Sequence, residues 1–238
     1  PGILSKLIFF LEKNKVNVLI LNSQSFKDQR LIEKSRMPID IRTKYKPNEN
    51  DEFLINLAGY ITYVSCILVK RNLWLKNFNS KKLGSFFAHV DVIAKIKIGL
   101  EIHYFDTPAI KMRVGSQTWS KRSFLIWNVL YPKVIWDLDG YGDKAKRMVT
   151  QRIPMNSFKR MFTSRAYGFL TINTWQTYIF KSNNVFIKYK IFTFIISIMP
   201  KKIFSIIYAL YILFIRRKHR IGFSPKLALE NLLSENFS

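Results

Sequence analysis

The chain has 238 residues, of which 39 are Lys or Arg and 15 are Asp or Glu, giving a formal net charge of +24. Hydrophobic residues make up 48% and aromatic residues 15%, which excludes an intrinsically disordered chain because such chains lack apolar surface to bury. The single cysteine, Cys66, excludes an intramolecular disulfide and a cysteine-based zinc site, and it fits a reducing compartment. So positive a chain calls for an anionic partner, which is nucleic acid, anionic lipid or a phosphorylated substrate.

The N-terminal residues predict a helix, since apolar side chains recur there at helical spacing behind Pro1. These residues are Ile3, Leu4, Leu7, Ile8 and Leu11. The run lacks the three regions of a signal peptide. Because the chain opens directly inside a folded element, we expect it to be a piece whose N-terminal part is absent.

Short apolar runs then predict strands. Val16 to Leu21 is β-branched and apolar, as in a buried strand, and Gly59 to Arg71 is a second candidate. Between them, Asn22 to Asp51 is polar and is predicted as a loop, with a short helix around Phe26 to Ser35. A helix-like segment follows Asn72. Helices alternating with buried strands indicate an α/β sheet.

The next segment continues this alternation. Ser85 to Gly99 predicts a helix, since Phe86, Val90, Ile93 and either Ile96 or Lys97 lie on one face. Residues 101–106 and 109–114 then predict two short strands separated by Thr107-Pro108.

From Trp119 onward the sequence lacks strand alternation and predicts helices, with Pro132 and Pro154 as breaks. Ile191 to Met199 is largely apolar, and Ile203 to Ile215 carries no charge at all. Thirteen residues of helix span about 20 Å, less than the roughly 30 Å of a bilayer core.

Three arrangements of this tail are open. The two apolar segments could lie in a membrane interface, form a re-entrant hairpin bent at Pro200, or pack as buried core helices. The basic run 216–220 that follows favours a membrane surface, because its cations suit lipid phosphate.

Catalytic motifs are scarce: the sequence has no Gly-rich phosphate loop, HExxH or nucleophile elbow. His89 and Asp91 form one candidate pair. Two positions apart on a helix they do not share a face, but in the turn before a helix both could point into one cleft. Either could then serve as general base, the alternative being a buried histidine and a capping aspartate. His103 is expected to be structural, and His219 to belong to the basic cluster.

Lys111 to Arg122 forms a second candidate site. Arg113 ends a predicted strand and is followed by Ser116, Gln117 and Trp119. A guanidinium matches phosphate with paired donors, and an aromatic face beside polar donors suits a sugar or base. The alternative is a solvated basic loop. The acidic stretch 137–143 fails the calcium-loop spacing and is expected to be a solvated turn.

The order of these features resembles a known family. Arg-Asn-Leu-Trp (71–74), Gly-Ser-Phe-Phe-Ala-His (84–89) and Arg-Val-Gly-Ser-Gln-Thr-Trp (113–119) follow one another as in bacterial family 2 glycosyltransferases. The similarity is to the second half of the abequosyltransferase-like branch, which builds O-antigen or capsule units, and it covers residues 1–153.

The resemblance implies an α/β nucleotide-sugar transferase (GT-A-like) fold without its N-terminal part. It divides the chain into the end of the transferase domain (1–118), a helical acceptor-side extension (119–184) and a membrane-associating tail (185–238). The Asp-x-Asp metal motif and the uridine-type nucleotide site would lie upstream, so Mg or Mn is an expected cofactor whose main ligands are not in this chain. This piece alone is expected to be inactive.

The implied reaction is inverting transfer of a sugar from a nucleoside diphosphate to a polyprenyl-diphosphate-linked glycan, at the cytoplasmic face of the bacterial inner membrane. Asp91 or His89 would be the base, because the family's usual Glu-Asp pair is replaced here by His-Val-Asp. Arg113, Ser116, Gln117 and Trp119 would contact the donor diphosphate or the acceptor sugar.

Two other functions compete with this one. A membrane-surface structural or interaction protein would bind lipid without transferring sugar. A nucleic-acid-binding protein would use the positive charge, but its cations should form a stripe with interleaved aromatics. Here the cations are spread along the chain, so nucleic acid is the least favoured partner.

Overall fold

The computed structural model describes residues 2–27, 29–33, 35, 44–113 and 122–214. These residues form a mixed α/β protein with a five-stranded mixed sheet and many helices, which confirms the α/β class. The strands are β1 (Val18–Lys27), β2 (Arg30–Glu33), β3 (Lys44–Tyr45), β4 (Ile67–Val69) and β5 (Ile102–Arg113).

The α-helices are α1 (Ile3–Asn14), α2 (Asn50–Leu57), α3 (Arg71–Asn77), α4 (Ala88–Gly99), α5 (Ser123–Leu125), α6 (Tyr131–Trp136), α7 (Asp143–Val149), α8 (Phe158–Ala166), α9 (Ile172–Thr174), α10 (Ile187–Ile198) and α11 (Lys201–Phe214). Two π-helical segments, Ile126–Leu130 and Trp175–Phe180, continue α5 and α9, and short 3-10 turns lie at Val64–Cys66, Ser80–Lys82 and Pro154–Asn156.

The chain divides into two compact units. Unit 1 comprises Pro1–Val114 and Val134–Thr150, and unit 2 comprises Gly115–Lys133 and Gln151–Ser238. Unit 1 contains the sheet, and unit 2 contains α8 to α11. The predicted three-part division by role, with boundaries after residues 118 and 184, stays a prediction.

The sheet of unit 1 is built around β1. Its order is β2-β1-β5-β3, with β4 also paired to β1. β1 and β5 run parallel along their length. The start of β1 pairs antiparallel with β4, and the end of β1 pairs antiparallel with β2. Parallel strands leave their carboxyl ends at one edge, where α/β proteins commonly bind ligands.

A bulge in β5 explains why the predicted strand pair is a single strand. Leu21 pairs with Phe105 but Ser23 pairs with Ile110, so β5 carries extra residues around Thr107-Pro108. A bulge tolerates the missing proline N–H. The buried Asn22 closes it by donating from Nδ2 to the carbonyl oxygen of Asp106, 2.6 Å away.

Both faces of the first part of β1 are buried. Leu19 and Leu21 face the cluster that contacts α1, where the rings of Phe10 and Phe105 meet edge to face at 5.4 Å. Val18 and Ile20, which alternate with them, are fully buried as well. Burial on both faces requires a continuous apolar run, which is why Val16 to Leu21 identified this strand.

Other sequence predictions in unit 1 were wrong in detail. The segment predicted as loop with a short helix around Phe26 to Ser35 instead carries the end of β1 and all of β2. Within the predicted strand Gly59 to Arg71, only β4 is a strand. The residues before β4 turn, and the Thr62 hydroxyl donates to the carbonyl of Gly59 across that turn.

The described residues of unit 2 are largely helical, as predicted for this part of the chain. Its core cluster includes Phe124, Met161, Leu170 and Ile179. Pro132 does not break its helix, because the π-helical turn before it widens the backbone where the proline lacks an N–H. The two apolar tail segments form α10 and α11.

Candidate active site

The turn that leads into α4 decides where the candidate site residues lie. Gly84 and Phe86 both have positive φ, 83° and 63°, so the chain cannot be helical there. Phe87 is the N-cap and α4 begins at Ala88, later than the predicted start at Ser85. His89 and Asp91 therefore both lie in the first turn of the helix.

The imidazole of His89 is half-buried and held in one tautomer. Its Nε2 lies 3.0 Å from the carbonyl oxygen of Thr62, and a carbonyl only accepts, so Nε2 carries the proton and Nδ1 keeps its lone pair. Burial lowers the pKa of His89 and outweighs the backbone carbonyl groups of Thr62 and Ile61, which favour the charged form. A neutral imidazole with an unprotonated nitrogen is suited to accept a proton.

Asp91 is in a different environment. Its side chain is 4% exposed, and its Oδ2 accepts from the Lys95 ammonium one turn further along α4, at 2.7 Å. A carboxylate that is buried and ion-paired has less access to a substrate hydroxyl than the imidazole has. Since both residues are helical and two positions apart, they point to different faces, and the shared cleft considered for a non-helical turn does not form.

A cationic edge lies at the carboxyl ends of the parallel strands. Phe26 of β1 is paired with Arg113 of β5, and the Lys111 ammonium lies 5.5 Å from the centre of the Phe26 ring. These residues, with Gln29 and Met112, line a shallow cleft. Arg113 is exposed there, so its guanidinium is accessible to an anion. Ser116, Gln117 and Trp119 lie outside the described residues.

Metal ligands are not clustered in the part of the chain that the structure describes, since it contains no group of three or more His, Cys, Asp or Glu that could hold an ion. In the acidic stretch 137–143, Asp137 pairs with Lys82 at 3.3 Å and Asp143 begins α7. The Mg or Mn implied by the resemblance stays a prediction, since its main ligands are expected upstream of this chain.

Two further polar residues of unit 1 have structural partners. His103 is buried in β5, and its Nε2 lies 2.7 Å from Oε1 of Glu101, as expected for a structural histidine. Burial alone would raise the pKa of Glu101, but the hydrogen bonds from Lys44 and His103 outweigh it, and the pKa is lowered.

The sequence placed Lys97, or Ile96, on the apolar face of this helix but indicated no role for it, and the structure buries Lys97 fully in α4. Its ammonium donates to the carbonyl of Lys46 and, at 3.3 Å, to Oδ1 of Asn50. Burial lowers its pKa, although Glu49 opposes the shift. Its position on the apolar face of the helix was the available signal.

In unit 2, α10 and α11 carry exposed apolar side chains on their outer faces. Neither helix alone has the length and apolar character to cross a bilayer, nor does any other described helix. Taken together, the two helices have that length and apolar character, but they are bent by 106° at the break between them.

Comparison of the chain with protein-family models, with curated proteins and with solved structures finds no significant match in any of the three. The site is therefore interpreted from its own residues and from the resemblance described above.

Proposed function

We propose that this chain is the acceptor-side part of an inverting glycosyltransferase of the family 2 type, with a GT-A-like fold and a membrane-associating C-terminal region. It would transfer a sugar from a nucleoside diphosphate to a polyprenyl-diphosphate-linked glycan in surface polysaccharide synthesis. The observation that carries the proposal is the half-buried imidazole of His89 at the start of α4. Its Nε2 faces the Thr62 carbonyl, and burial lowers its pKa, so Nδ1 is the nitrogen left to accept a proton.

In this proposal His89 is the general base. Its Nδ1 takes the proton of the acceptor hydroxyl while that oxygen attacks the anomeric carbon of the donor. The bond from this carbon to the diphosphate oxygen breaks, and its electron pair leaves with the diphosphate, so the configuration inverts. We choose His89 over Asp91 because the carboxylate is buried against Lys95.

The cationic edge would bind the leaving diphosphate. Arg113 presents an exposed guanidinium beside Lys111, and guanidinium groups bind phosphate oxygens through paired N–H donors. Both side chains belong to β5, whose carboxyl end lies at the edge where α/β proteins bind ligands. Ser116, Gln117 and Trp119 remain proposed donor or acceptor contacts on sequence grounds alone.

Sugar transfer is the test of this function. Membranes from a host that expresses the natural reading frame are incubated with a panel of radiolabelled nucleoside-diphosphate sugars and polyprenyl-linked acceptor. His89→Gln should lower the transfer rate by about 100-fold or more, as expected for a lost general base. His103→Gln, which alters a structural histidine, is the matched control. Transfer that survives His89→Gln, or none from any donor, would reject the proposal.

Diphosphate binding provides a second test. Titration calorimetry with uridine diphosphate uses the protein expressed from the natural reading frame. Arg113→Gln should weaken its affinity by about tenfold, as expected for a lost charge-assisted contact. Arg147→Gln, an exposed arginine on α7, should leave affinity unchanged. Equal effects of the two substitutions would indicate binding to net charge rather than to the edge.

A membrane-surface protein without catalysis is the second candidate. It is favoured by the exposed apolar faces of α10 and α11, and it requires neither His89 nor Arg113. Both candidates place the chain at the cytoplasmic face of a bacterial inner membrane. Lipid binding with no sugar transfer would select the second one.

A further inference from the structure

The outer face of α10 is apolar along its whole length. Its exposed hydrophobic residues are 41% to 71% exposed and recur every three or four positions. They are Ile187, Ile191, Phe194, Ile195 and Ile198. A helix on the surface of a water-soluble domain normally turns charged and polar residues outward, so this stripe is the reverse of the usual arrangement.

The same reversal occurs on α11. Its exposed hydrophobic residues are 44% to 58% exposed and also share one helix face. They are Ile203, Ile206, Ile207 and Leu210.

The serine and threonine side chains of these helices are on the inside. Thr193 is fully buried and donates to the carbonyl of Tyr189, while Ser197 donates to that of Phe194. Ser205 is 2% exposed and donates at 2.7 Å to the carbonyl of Ala166, on α8. Hydroxyls satisfied by the backbone inside, with isoleucines outside, suit helices whose outer surroundings are apolar.

Both helices pack on α8, so their stripes point away from the same helix. The rings of Phe158 and Phe192 lie 4.8 Å apart between α8 and α10, and those of Phe162 and Phe204 lie 5.2 Å apart between α8 and α11. The two stripes together, named here the α10–α11 platform, are thus presented by a packed unit and not by a free tail.

Cations flank the platform. The helix spacing places Lys188 at the margin of the α10 stripe and Lys202 at the margin of the α11 stripe, and both are exposed. Lysines in this position can extend to lipid phosphates while the isoleucines enter the acyl region. A second copy of the chain would instead bring the same lysines and a net charge of +24 against each other.

We propose that the α10–α11 platform lies in the plane of an anionic lipid leaflet, with both stripes in the upper acyl region and Lys188 and Lys202 at the headgroups. The position of Lys202 next to the bend argues against a hairpin inserted tip first, because that would carry an ammonium to the deepest point. The platform would bind the leaflet in this geometry whether or not the chain transfers sugar.

Vesicle co-sedimentation of the full chain tests the inference. The vesicles contain phosphatidylglycerol and phosphatidylcholine, or phosphatidylcholine alone. Ile191→Asp and Ile206→Asp should each weaken binding to the anionic vesicles about tenfold or more, since each removes an apolar side chain that the lipid would bury and adds a charge. Met148→Asp makes the same charge change at an exposed residue on α7 and should change little.

Charge is tested separately. Lys202→Gln should weaken binding to the anionic vesicles about fivefold and leave binding to phosphatidylcholine unchanged. All of these variants keep the basic run 216–220, so a loss of binding cannot be assigned to that run. Circular dichroism of each variant checks that the fold is retained.

Two results would overturn the inference. One is equal vesicle binding by the unchanged chain, Ile191→Asp and Ile206→Asp. The other is a dimer that forms without vesicles and that these substitutions dissociate, which would make a second copy of the chain the partner of the platform.

A depth measurement tests the geometry. A fluorophore is attached at position 198 in the Ile198→Cys variant, and its quenching by lipids labelled at known depths is measured. We expect a depth of about 5–10 Å below the headgroups, and a position at the bilayer midplane would exclude the in-plane arrangement.

Discussion

Arg165 of α8 donates from Nη2 to the carbonyl oxygen of Met199, the residue that ends α10. Its Nη1 donates at 2.8 Å to the carbonyl of Leu170. One buried guanidinium thus satisfies two carbonyls from different segments of unit 2. A cation at the carboxyl end of a helix is also favoured by the helix dipole. Arg165 thus links α8 to the C-cap of α10, where the bend to α11 begins.

Arg165→Met should therefore lower the free energy of unfolding by about 2 kcal/mol, because two carbonyls lose their donor. Hydrogen exchange should increase at the residues around Met199. Arg147→Met, on the exposed face of α7, should stay within about 0.5 kcal/mol of the unchanged protein in urea unfolding. Equal effects of the two substitutions would contradict a structural role for Arg165.

The pKa of His89 is lowered from its ordinary value of 6.5 by burial. The unfolded chain therefore binds this proton more readily than the folded chain does, and stability must fall as the pH drops below about 6.5. Urea unfolding at several pH values between 7.5 and 5 should show this decline. His89→Gln should make it shallower, and an unchanged slope would mean that other groups cause it.

Two substitutions at Lys97 separate the contribution of its packing to stability from the contribution of its charge. Lys97→Met keeps most of the volume and the contact with the Phe53 ring, 5.8 Å from the ammonium, while removing a buried charge. The Lys46 carbonyl and Asn50 Oδ1 then lose their donor, so we expect a loss of about 1–2 kcal/mol. Lys97→Ala leaves a cavity and should cost about 2–4 kcal/mol. Denaturant unfolding of both variants measures the difference, and a larger loss for Met than for Ala would refute it.

Replacing either of two glycines of unit 1 by alanine should change stability in opposite directions. Gly140 has a φ of 77°, and a Cβ there would lie 2.8 Å from Cδ1 of Ile98, so Gly140→Ala should destabilise the fold by about 1–2 kcal/mol. Gly99 ends α4 with nothing within 4 Å of such a Cβ. Gly99→Ala should therefore stabilise by up to about 1 kcal/mol. Thermal unfolding of the two variants should shift in opposite directions.

The sequence predicted elements wherever burial produces a clear pattern. The run Val16 to Leu21 identified β1, and the uncharged tail identified α10 and α11. Pro108 misled the prediction of β5, because the hydrogen bond from Asn22 that closes its bulge comes from 84 positions away in the chain and leaves no local signal.

For the candidate site, the sequence supplied the residues but not their environment. Asp91 and Lys95 are four positions apart, and this spacing alone could have indicated an ion pair across one helical turn. That Thr62 fixes the tautomer of His89 depends on a turn that was predicted as a strand. That the hydroxyls of α10 and α11 are buried likewise depends on how these helices pack against α8, which the sequence does not show.

The chain leaves unit 1 after Val114 and returns to it for Val134–Thr150. The returning segment completes unit 1: the Tyr141 hydroxyl donates to the carbonyl of Ala94, and the backbone N–H of Gly142 donates to Asp51. During synthesis, unit 1 cannot finish folding until residue 150 has left the ribosome. No single cut yields either unit intact, and an expression fragment that ends near residue 114 would expose the surface that α7 normally covers.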